Sequence, residues 1–556
     1  MTDGAELVLF GGTVWTGVDG DAAEAVAVRE GRIVAVGTDR EVREAVGPAA
    51  QSVNLRGRAV LPGFQDAHCH PVSGGLYGRT CDLGDARTVE ACRAAVADFL
   101  ERNPDAPWVT GGGWSMETFP GGTPAAPQLD GVTAGRPAFL VNRDGHGAWV
   151  NSRALELAGI DASTPDPPHG RIERDEAGRP QGTLHEGAMD LVSRLLPPTS
   201  PEDLAAALLD AQTHLLRLGV TGWQDAAVDA ETEAAYVLVA RRGALCARTR
   251  LALWWDRERG LDQVPELLER RARLASLGLD AGSVKMMLDG VVENHTAAML
   301  EPYCTPPGAA HGGCRHELGS GRLFVEPEVA TEAAATLAAE GFQLHFHAIG
   351  DRAVRLALDA AEAAGEGAGG AADLRHHVAH IQVVHPDDVP RFRRLGVVAN
   401  AQPFWACAEP QMTELTLPFL GPDRSAWQYP FASLSGTGAR LAGGSDWPVS
   451  TADPLEEIAV AVERVLPASA RDGAPAAPPF LPGERLALAG ALQAFTAGSA
   501  YVNHLDDEAG TIEPGKLADL VVLAADPFGL PADQLPEARV CCTIVGGEVA
   551  FESGEV

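Results

Sequence analysis

The sequence predicts an α/β fold, namely a TIM-like (β/α)8 barrel with a composite β-sandwich domain from both termini and an insertion within the barrel. Three observations support this prediction. Apolar runs alternate with helical stretches through the middle of the chain, β-rich segments stand at both ends, and a stretch rich in glycine and proline interrupts the alternation. A barrel of this type needs about 250 residues. The 556 residues therefore leave room for additional domains.

The alternation of helix and strand patterns predicts the barrel itself. In each repeat, a stretch rich in Ala, Leu, Arg and Glu precedes a short apolar run that ends in polar residues. Parallel strands need helical crossovers of this kind, and eight of them close into a barrel. The clearest helix and strand pairs are 204–218 with 219–225, 325–341 with 342–347, and 387–395 with 396–402.

The two ends of the chain have the same β-type character. Apolar runs occupy residues 6–10 and 25–37 near the start, and 518–523 and 542–551 near the end. Such short pieces do not form a stable core alone, so we expect them to pair with each other. The predicted domains are therefore a sandwich of residues 1–60 plus 500–556 and a barrel of residues 61–499, whose insertion lies at about 104–190, where Gly and Pro are frequent.

The composition restricts the partners. With 43 basic and 76 acidic residues, the formal net charge is −33, and such a surface repels nucleic acid and anionic membranes. We expect a small-molecule substrate, no nucleic-acid partner, no membrane partner and, by default, a homodimer. The nine cysteines show no paired spacing and the start of the chain shows no secretory signal, which predicts reduced thiols and a cytoplasmic location.

A histidine pair gives the first indication of chemistry. In the segment 61–71, Asp66, His68 and His70 alternate along a predicted strand, so the three side chains share one face. Two neutral imidazoles in this spacing can chelate one metal ion and suit Zn²⁺. One such pair among 16 histidines is a weak signal when taken alone.

Later strand ends strengthen the signal. His345 and His347 share a face of the segment 342–351, and His380 ends another apolar run. Asp446 follows the last predicted barrel strand, and Lys285, one of only two lysines in the chain, lies within the run 283–290. In a parallel barrel the carboxyl ends of the strands meet at one rim, where this fold carries its chemistry.

In this order, these motifs resemble the amidohydrolase superfamily of metal-dependent hydrolases. More narrowly, they resemble its third amidohydrolase family, the branch with YtcJ-like proteins and N-substituted formamide deformylase. The resemblance covers nearly the whole chain. It is carried by four blocks, Pro62-Gly63-Phe64 before the histidine pair, then 347–351, 444–446 and 515–519.

The resemblance implies a metal site. His68 and His70 would hold the more buried ion with Asp446 as a further ligand, while His347 and His380 would hold a second ion. Strand register alone does not choose between His345 and His347, and the family block favours His347. Zinc is the expected metal, with one or two divalent ions per chain, and Mn, Fe or Co tolerate the same ligands.

The resemblance also assigns roles to Lys285 and Asp446. Lys285 would be carboxylated by CO₂, and its carbamate would bridge the two metals as an anionic oxygen ligand, which a protonated amine cannot be. The alternative is a buried ion pair of Lys285 with Asp289 or another carboxylate. A metal-bound hydroxide would attack the substrate carbonyl, with Asp446 as general base and then general acid.

Further residues are candidates for substrate binding, although a purely structural role is equally open for most of them. They occur in the predicted insertion or close to the strand ends. These candidates are Trp114, Asp144, His146, Glu186, Asp289, Glu293, His345, Gln402 and Trp405.

We therefore expect a metal-dependent hydrolase that cleaves a carbon–nitrogen bond of an amide, formamide or cyclic amide. An ester or lactone hydrolase, or a metal-dependent decarboxylase, would use the same site. An alternative of another class is a non-catalytic regulatory or binding protein on this scaffold. The sequence has no GxxxxGK(S/T) motif of P-loop NTPases, no GxGxxG in the strand-turn-helix context of dinucleotide-binding domains, and no GxSxG elbow of serine hydrolases.

Overall fold

In the computed structural model, which describes residues 7–18, 22–46, 51–305, 313–314, 318–367, 373–471 and 473–554, the centre of the molecule is a parallel eight-stranded sheet. Its strands follow one another in chain order around the barrel. The prediction of a TIM-like barrel is thereby confirmed. The strands are Phe64–Cys69, Val220–Val228, Arg248–Trp254, Asp280–Met287, Gln343–Ala348, His377–His380, Val398–Ala401 and Leu441–Gly443.

The first and last barrel strands meet, which nearly closes the barrel. The backbone N–H of Asp446 donates to the carbonyl of His68 at 2.7 Å. Gly444 makes this approach possible, because a Cβ at this position would lie 2.8 Å from the Cβ and the backbone nitrogen of His68. Glycine is therefore needed where the two halves of the predicted metal site come together.

Helices surround the barrel and connect its strands. The helix Pro201–Arg217 illustrates the local signals, since the Ser200 side chain accepts a hydrogen bond from the N–H of Asp203 and proline occupies the first turn. The α-helices are Asp39–Val46, Pro71–Tyr77, Val89–Arg102, Ala126–Asp130, Ser152–Ala158, Asp190–Ser193, Pro201–Arg217, Ala230–Arg241, Val264–Ala275, Pro327–Ala339, Asp351–Gly367, Val389–Leu395, Leu417–Ala426, Phe431–Gly436, Pro454–Glu463, Leu488–Gln493 and Ser499–Val502.

Strands from both ends of the chain form two further sheets. The strand Leu520–Leu523 pairs antiparallel with Ala59–Pro62, so the end of the chain lies beside the strand that leads into the barrel. Val14, Val60, Leu520 and Ile544 are buried in one core of this region. One sheet has the order Arg32–Gly37, Ala25–Arg29, Leu7–Phe10, Gln51–Asn54, and the other has Glu548–Glu552, Val540–Val545, Leu520–Leu523, Ala59–Pro62, Thr13–Trp15, Ala22–Ala23.

A separate six-stranded sheet lies between the first and second barrel strands in the sequence. Its first strand, Cys81–Asp82, precedes the stretch 104–190 that the Gly and Pro content marked as an insertion. Trp114, Phe119 and Trp149 pack edge to face in one of its cores. The strands, in sheet order, are Gly170–Arg174, Pro180–Glu186, Gly147–Val150, Ala138–Asn142, Val109–Trp114 and Cys81–Asp82.

Two further features concern the environment of the protein. Within the described ranges, none of the helices combines the length and apolar character that a membrane span requires. Among the described residues, seven cysteines take no part in a disulfide, whereas Cys304, on a two-stranded ribbon of Cys304–Thr305 and Gly313–Cys314, is disulfide-bonded. The expectation that all cysteines are reduced thiols is therefore wrong, and the cytoplasmic location stays a prediction.

Candidate metal centre and substrate cavity

The first three predicted ligands converge at the carboxyl-end rim of the barrel. His68 lies in the first strand, His70 immediately follows that strand, and Asp446 follows the last one. Asp446 Oδ1 lies 3.2 Å from His68 Nε2 and 3.0 Å from His70 Nε2. One potential ligand atom from each of the three residues lies within 4.8 Å of the other two. This spacing is compatible with a single ion that all three side chains contact.

The other three predicted ligands adjoin this group. Lys285 Nζ lies 3.5 Å from His68 Nε2 and is almost completely buried. His380 Nδ1 lies 3.9 Å from Asp446 Oδ2. The ring of His347 packs against that of His380 with 4.5 Å between centroids. Separated strands thus bring all six predicted ligands to one place, although their roles as ligands stay predictions.

The electrostatics of this group favour neutral nitrogen donors beside one carboxylate. Burial lowers the pKa values of His68, His347 and His380 well below that of free imidazole. Burial also lowers the pKa of Lys285 to about 7. Burial acts to raise the pKa of Asp446, but the hydrogen bond with His70 and the electrostatic interactions with His380, His70 and Lys285 outweigh it, so that this pKa is lowered.

The residues fit a divalent cation on two structural observations. The buried Nδ1 atom of His380 has no hydrogen-bond partner within the described parts of the chain, as expected for a nitrogen that reserves its lone pair for a ligand. The backbones of His380 and Asp446 adopt positive φ angles of 75° and 56°, which non-glycine residues rarely adopt. Such conformations concentrate at functional sites, where the surrounding structure holds them.

A cavity of about 810 Å³ opens above this group, and its size suits a small organic molecule. All six predicted ligands lie along its floor, together with Met287. Aromatic and aliphatic side chains form much of the wall, together with a few charged groups. Examples are Leu76, Tyr77, Phe139, Val141, Trp254, Val291, Ile349 and Trp405.

The additional sheet supplies one wall of the cavity through a buried histidine and glutamate. His146 Nδ1 lies 3.0 Å from Glu186 Oε2, and Thr296 Oγ1 donates to Glu186 Oε1 at 2.8 Å. Burial opposes protonation of His146, but the Glu186 carboxylate outweighs it and raises the pKa of His146 to about 9. The ring of His146 lies 5.5 Å from that of His347, so this charged pair borders the predicted metal site.

The remaining candidates for substrate binding divide into two groups. Asp144, His146, Glu186 and Trp405 line the cavity, and Glu293 borders a smaller side pocket of about 30 Å³. Trp405 stacks on His380 with 5.5 Å between ring centroids. The candidates that lie elsewhere, and whose positions therefore do not place them against a molecule in the cavity, are Trp114, Asp289, His345 and Gln402.

Each of these four has a structural contact that explains its burial. Trp114 Nε1 donates to the carbonyl of Leu140 within the core of the additional sheet. Asp289 accepts hydrogen bonds from the backbone N–H groups of residues 298, 349 and 350, and burial raises its pKa to about 8. His345 lies behind His68, and Gln402 accepts a hydrogen bond from the N–H of His380.

Two carboxylates near the centre were not predicted as site residues. Asp66 accepts hydrogen bonds from Ser445 Oγ at 2.6 Å and from the N–H of His68, and so joins the first strand to the last. Asp225 accepts from the Tyr236 hydroxyl at 2.9 Å. Burial raises the pKa of each carboxylate to about 6. The sequence contained a signal for Asp66, because it shares a strand face with His68. It contained none for Asp225, which ends its predicted strand without another candidate ligand beside it.

The sequence is similar to those of known proteins along nearly its whole length. The sequence model of the amidohydrolase family matches residues 51–551. The putative amidohydrolase YtcJ of Bacillus subtilis (strain 168) is 29% identical over 561 residues, covering 98% of this chain and 99% of that protein. N-substituted formamide deformylase of Arthrobacter pascens is 28% identical over 564 residues, covering 99% of each.

A solved structure is also similar over nearly its whole length. An uncharacterized metal-dependent hydrolase from Pyrococcus furiosus superposes with a TM-score of 0.68 at 26% sequence identity, covering 94% of this chain and 99% of that one. These similarities confirm the resemblance that the order of the sequence motifs indicated. The chain belongs to the amidohydrolase family.

Proposed function

We propose that this protein is a metal-dependent amidohydrolase that hydrolyses the carbon–nitrogen bond of an amide, formamide or cyclic amide. The observation that carries the proposal is the convergence of the six predicted ligands on the floor of a cavity large enough for a small organic substrate. The relative from Arthrobacter pascens, whose name describes deformylation of N-substituted formamides, supports the choice of bond.

His68, His70 and Asp446 would hold one divalent ion, and His347 and His380 would hold a second. Zinc is the proposed metal, since imidazole and carboxylate ligands suit it, although Mn, Fe or Co accept the same ligands. A divalent ion at this position supplies a Lewis acid for the substrate carbonyl and lowers the pKa of water to about 7.

Asp446 is the proposed general base and acid. The residue is 4% exposed, and its lowered pKa keeps the carboxylate ionised and able to accept a proton. Oδ1 faces His68 and His70, which leaves Oδ2 on the side of His380 to take the proton from the attacking water. The same atom then returns the proton to the departing nitrogen, which leaves as a neutral amine.

Lys285 is proposed to carry a carbamate. Its amine lies among the ligands, 3.5 Å from His68 Nε2, in a place where an ammonium group would repel a divalent cation. Reaction of the neutral amine with CO₂ would form an N–C bond and release one proton, and the resulting anionic group would offer oxygen atoms as metal ligands. An arginine at this position could not undergo this reaction.

The charged pair of His146 and Glu186 and the indole of Trp405 are the proposed substrate contacts, since all three line the cavity. The cavity volume of about 810 Å³ supports the proposal of a small-molecule substrate. The homodimer and the cytoplasmic location predicted from the sequence remain proposals.

The experiment is a substrate panel tested with metal-loaded protein. It contains N-formyl amines, N-acyl amino acids and cyclic amides, with lactones, simple esters and carboxylic acids that can decarboxylate. We expect turnover among the first three classes. Turnover of lactones or esters alone, or of the acids alone, would replace the proposal by one of the alternatives on the same site. A metal-loaded protein inert on all classes would favour a regulatory or binding role.

A further inference from the structure

We propose that His345 is a positioning residue that holds His68 in the one tautomer able to bind a metal ion. The inference rests on the proposed function, because it concerns the metal ligand His68. His345 lies outside the substrate cavity and is fully buried inside the barrel. It precedes His347 by two residues on the same strand. Its role therefore differs from the substrate contact expected from the sequence.

The contact between the two rings is short and specific. His68 Nδ1 and His345 Nε2 lie 2.7 Å apart, so one nitrogen carries a proton and the other accepts it. The other nitrogen of His68, Nε2, faces Asp446 Oδ1 and Lys285 Nζ at 3.2 and 3.5 Å. The two nitrogens of His68 are thus committed to two different directions, one into the barrel and one toward the metal site.

The direction of this hydrogen bond decides whether His68 can be a ligand. A metal ion takes the lone pair of a neutral imidazole nitrogen, so ligation through Nε2 requires the proton to be on Nδ1. His68 Nδ1 then donates to His345 Nε2. If instead His345 donated from Nε2, His68 would carry its proton on Nε2 and would be blocked. His345 therefore acts as the hydrogen-bond acceptor that a carboxylate or a backbone carbonyl provides beside the ligating histidines of other metal sites.

A chain of hydrogen bonds with a defined direction runs from the backbone of His380 to the ring of His377, which lies deeper in the barrel. The N–H of His380 donates to Gln402 Oε1 at 2.6 Å, so Gln402 presents its Nε2 to Asn400 Oδ1 at 2.9 Å. Asn400 in turn donates from Nδ2 to the carbonyl of Ala67 and to His377 Nδ1, at 2.9 and 3.1 Å.

This chain of hydrogen bonds orients the ring of His377, against which the ring of His345 packs. The rings of His345 and His377 pack with 4.0 Å between centroids. Because the backbone N–H of His380 fixes the sense of the first bond, the amides of Gln402 and Asn400 and the ring of His377 each have a single orientation. The chain connects the backbone of Ala67, next to His68 on the first barrel strand, with the backbone of His380 on the sixth, and it supplies partners for the buried amides of Gln402 and Asn400.

The test compares metal affinity in two variants at this position. His345→Leu keeps an apolar side chain of similar size but removes the acceptor, whereas His345→Gln offers an amide oxygen to His68 Nδ1. We expect H345L to bind Zn²⁺ about 10- to 100-fold more weakly than the wild type, and H345Q to stay within about threefold. Affinity is measured by competition with a colorimetric chelator on protein whose fold is verified by circular dichroism.

A matched control separates positioning from general loss of structure. His376 is a neighbouring histidine whose Nδ1 accepts from the N–H of Leu344 and whose carbonyl accepts from the N–H of Val398. We expect H376L to lower the thermal midpoint of the apo and the metal-loaded protein equally, without weakening metal binding. H345L should instead reduce the difference between the two midpoints.

The outcomes distinguish this inference from the proposed function. If the wild type binds no divalent ion, the proposed function fails and this inference fails with it. If the wild type binds metal and H345L binds it equally well, only the positioning role is refuted. Equal weakening in H345L and H345Q would also refute it, because the acceptor would then not be the property that matters.

Discussion

Replacing Asp446 by asparagine tests the proposed chemistry at a single atom. Asn keeps the Oδ1 acceptor that faces His68 and His70, and it tolerates the positive φ of 56° at this position. The fold should therefore be retained. An amide nitrogen in place of Oδ2 cannot take a proton, and general acid–base catalysis contributes about 10²- to 10⁴-fold to a rate. We expect kcat to fall about 1000-fold, which corresponds to about 4 kcal/mol of transition-state stabilisation.

The assay is steady-state hydrolysis of the best substrate of the panel, with metal content measured on the same sample so that metal loss is not mistaken for loss of the base. Asp519→Asn is the matched control, since Asp519 is similarly buried at 5% exposure and accepts hydrogen bonds from Arg248 and Gly546. It lies in the terminal sheets and should lower stability while kcat stays within about threefold. A D446N variant with more than a tenth of the wild-type kcat would refute the reasoning.

Three further predictions concern the metal, the lysine and the additional sheet. Removal of divalent ions with a chelator should abolish turnover and Zn²⁺, Mn²⁺ or Co²⁺ should restore it; activity that persists in metal-free protein would contradict the proposal. ¹³C NMR of protein equilibrated with ¹³CO₂ should show a carbamate signal that Lys285→Met lacks, whereas two bound ions with an unmodified amine would exclude the bridging role. Glu186→Gln should reduce kcat/KM by about 10- to 100-fold, because His146 loses the carboxylate that stabilises its positive charge. Trp114→Phe, in the core of the same sheet, should change kcat/KM by less than about threefold. Equal changes of kcat/KM in these two variants would remove His146 and Glu186 from the proposed substrate contacts.

Much of the barrel could be predicted because its sequence signals are local. Helix Pro201–Arg217 and strand Val220–Val228 fall where the alternating pattern indicated them, to within a few residues. The ligand set had equally local signals, since His68 and His70 share one strand face and Asp446 ends another strand. Convergence followed from the rule that parallel strands end at one rim. The outer sheet was harder, because its first strand Cys81–Asp82 has only two residues and leaves no periodic pattern.

The depth of a side chain within the barrel could not be predicted from the alternation of side chains along a strand, which gives only the face. His345 and His347 share a face, but two residues of a strand span about 6.6 Å, so they occupy different layers. His347 reaches the cavity, whereas His345 lies against His68 below it. The same limit applied to Trp114 and His146, since the contacts between sheets decide which of the two faces the cavity. Such contacts join residues far apart in sequence and leave no local signal.

The pairing of Leu520–Leu523 with Ala59–Pro62 has a consequence for biosynthesis. While the ribosome is still translating the barrel, one hydrogen-bonding edge of Ala59–Pro62 has no neighbour, because its partner strand has yet to be made. The segment Ala59–Pro62 continues directly into the strand Phe64–Cys69, which carries His68. A nascent polypeptide halted before codon 520 would expose this edge to other chains, so premature termination should yield aggregates rather than a shortened, working hydrolase.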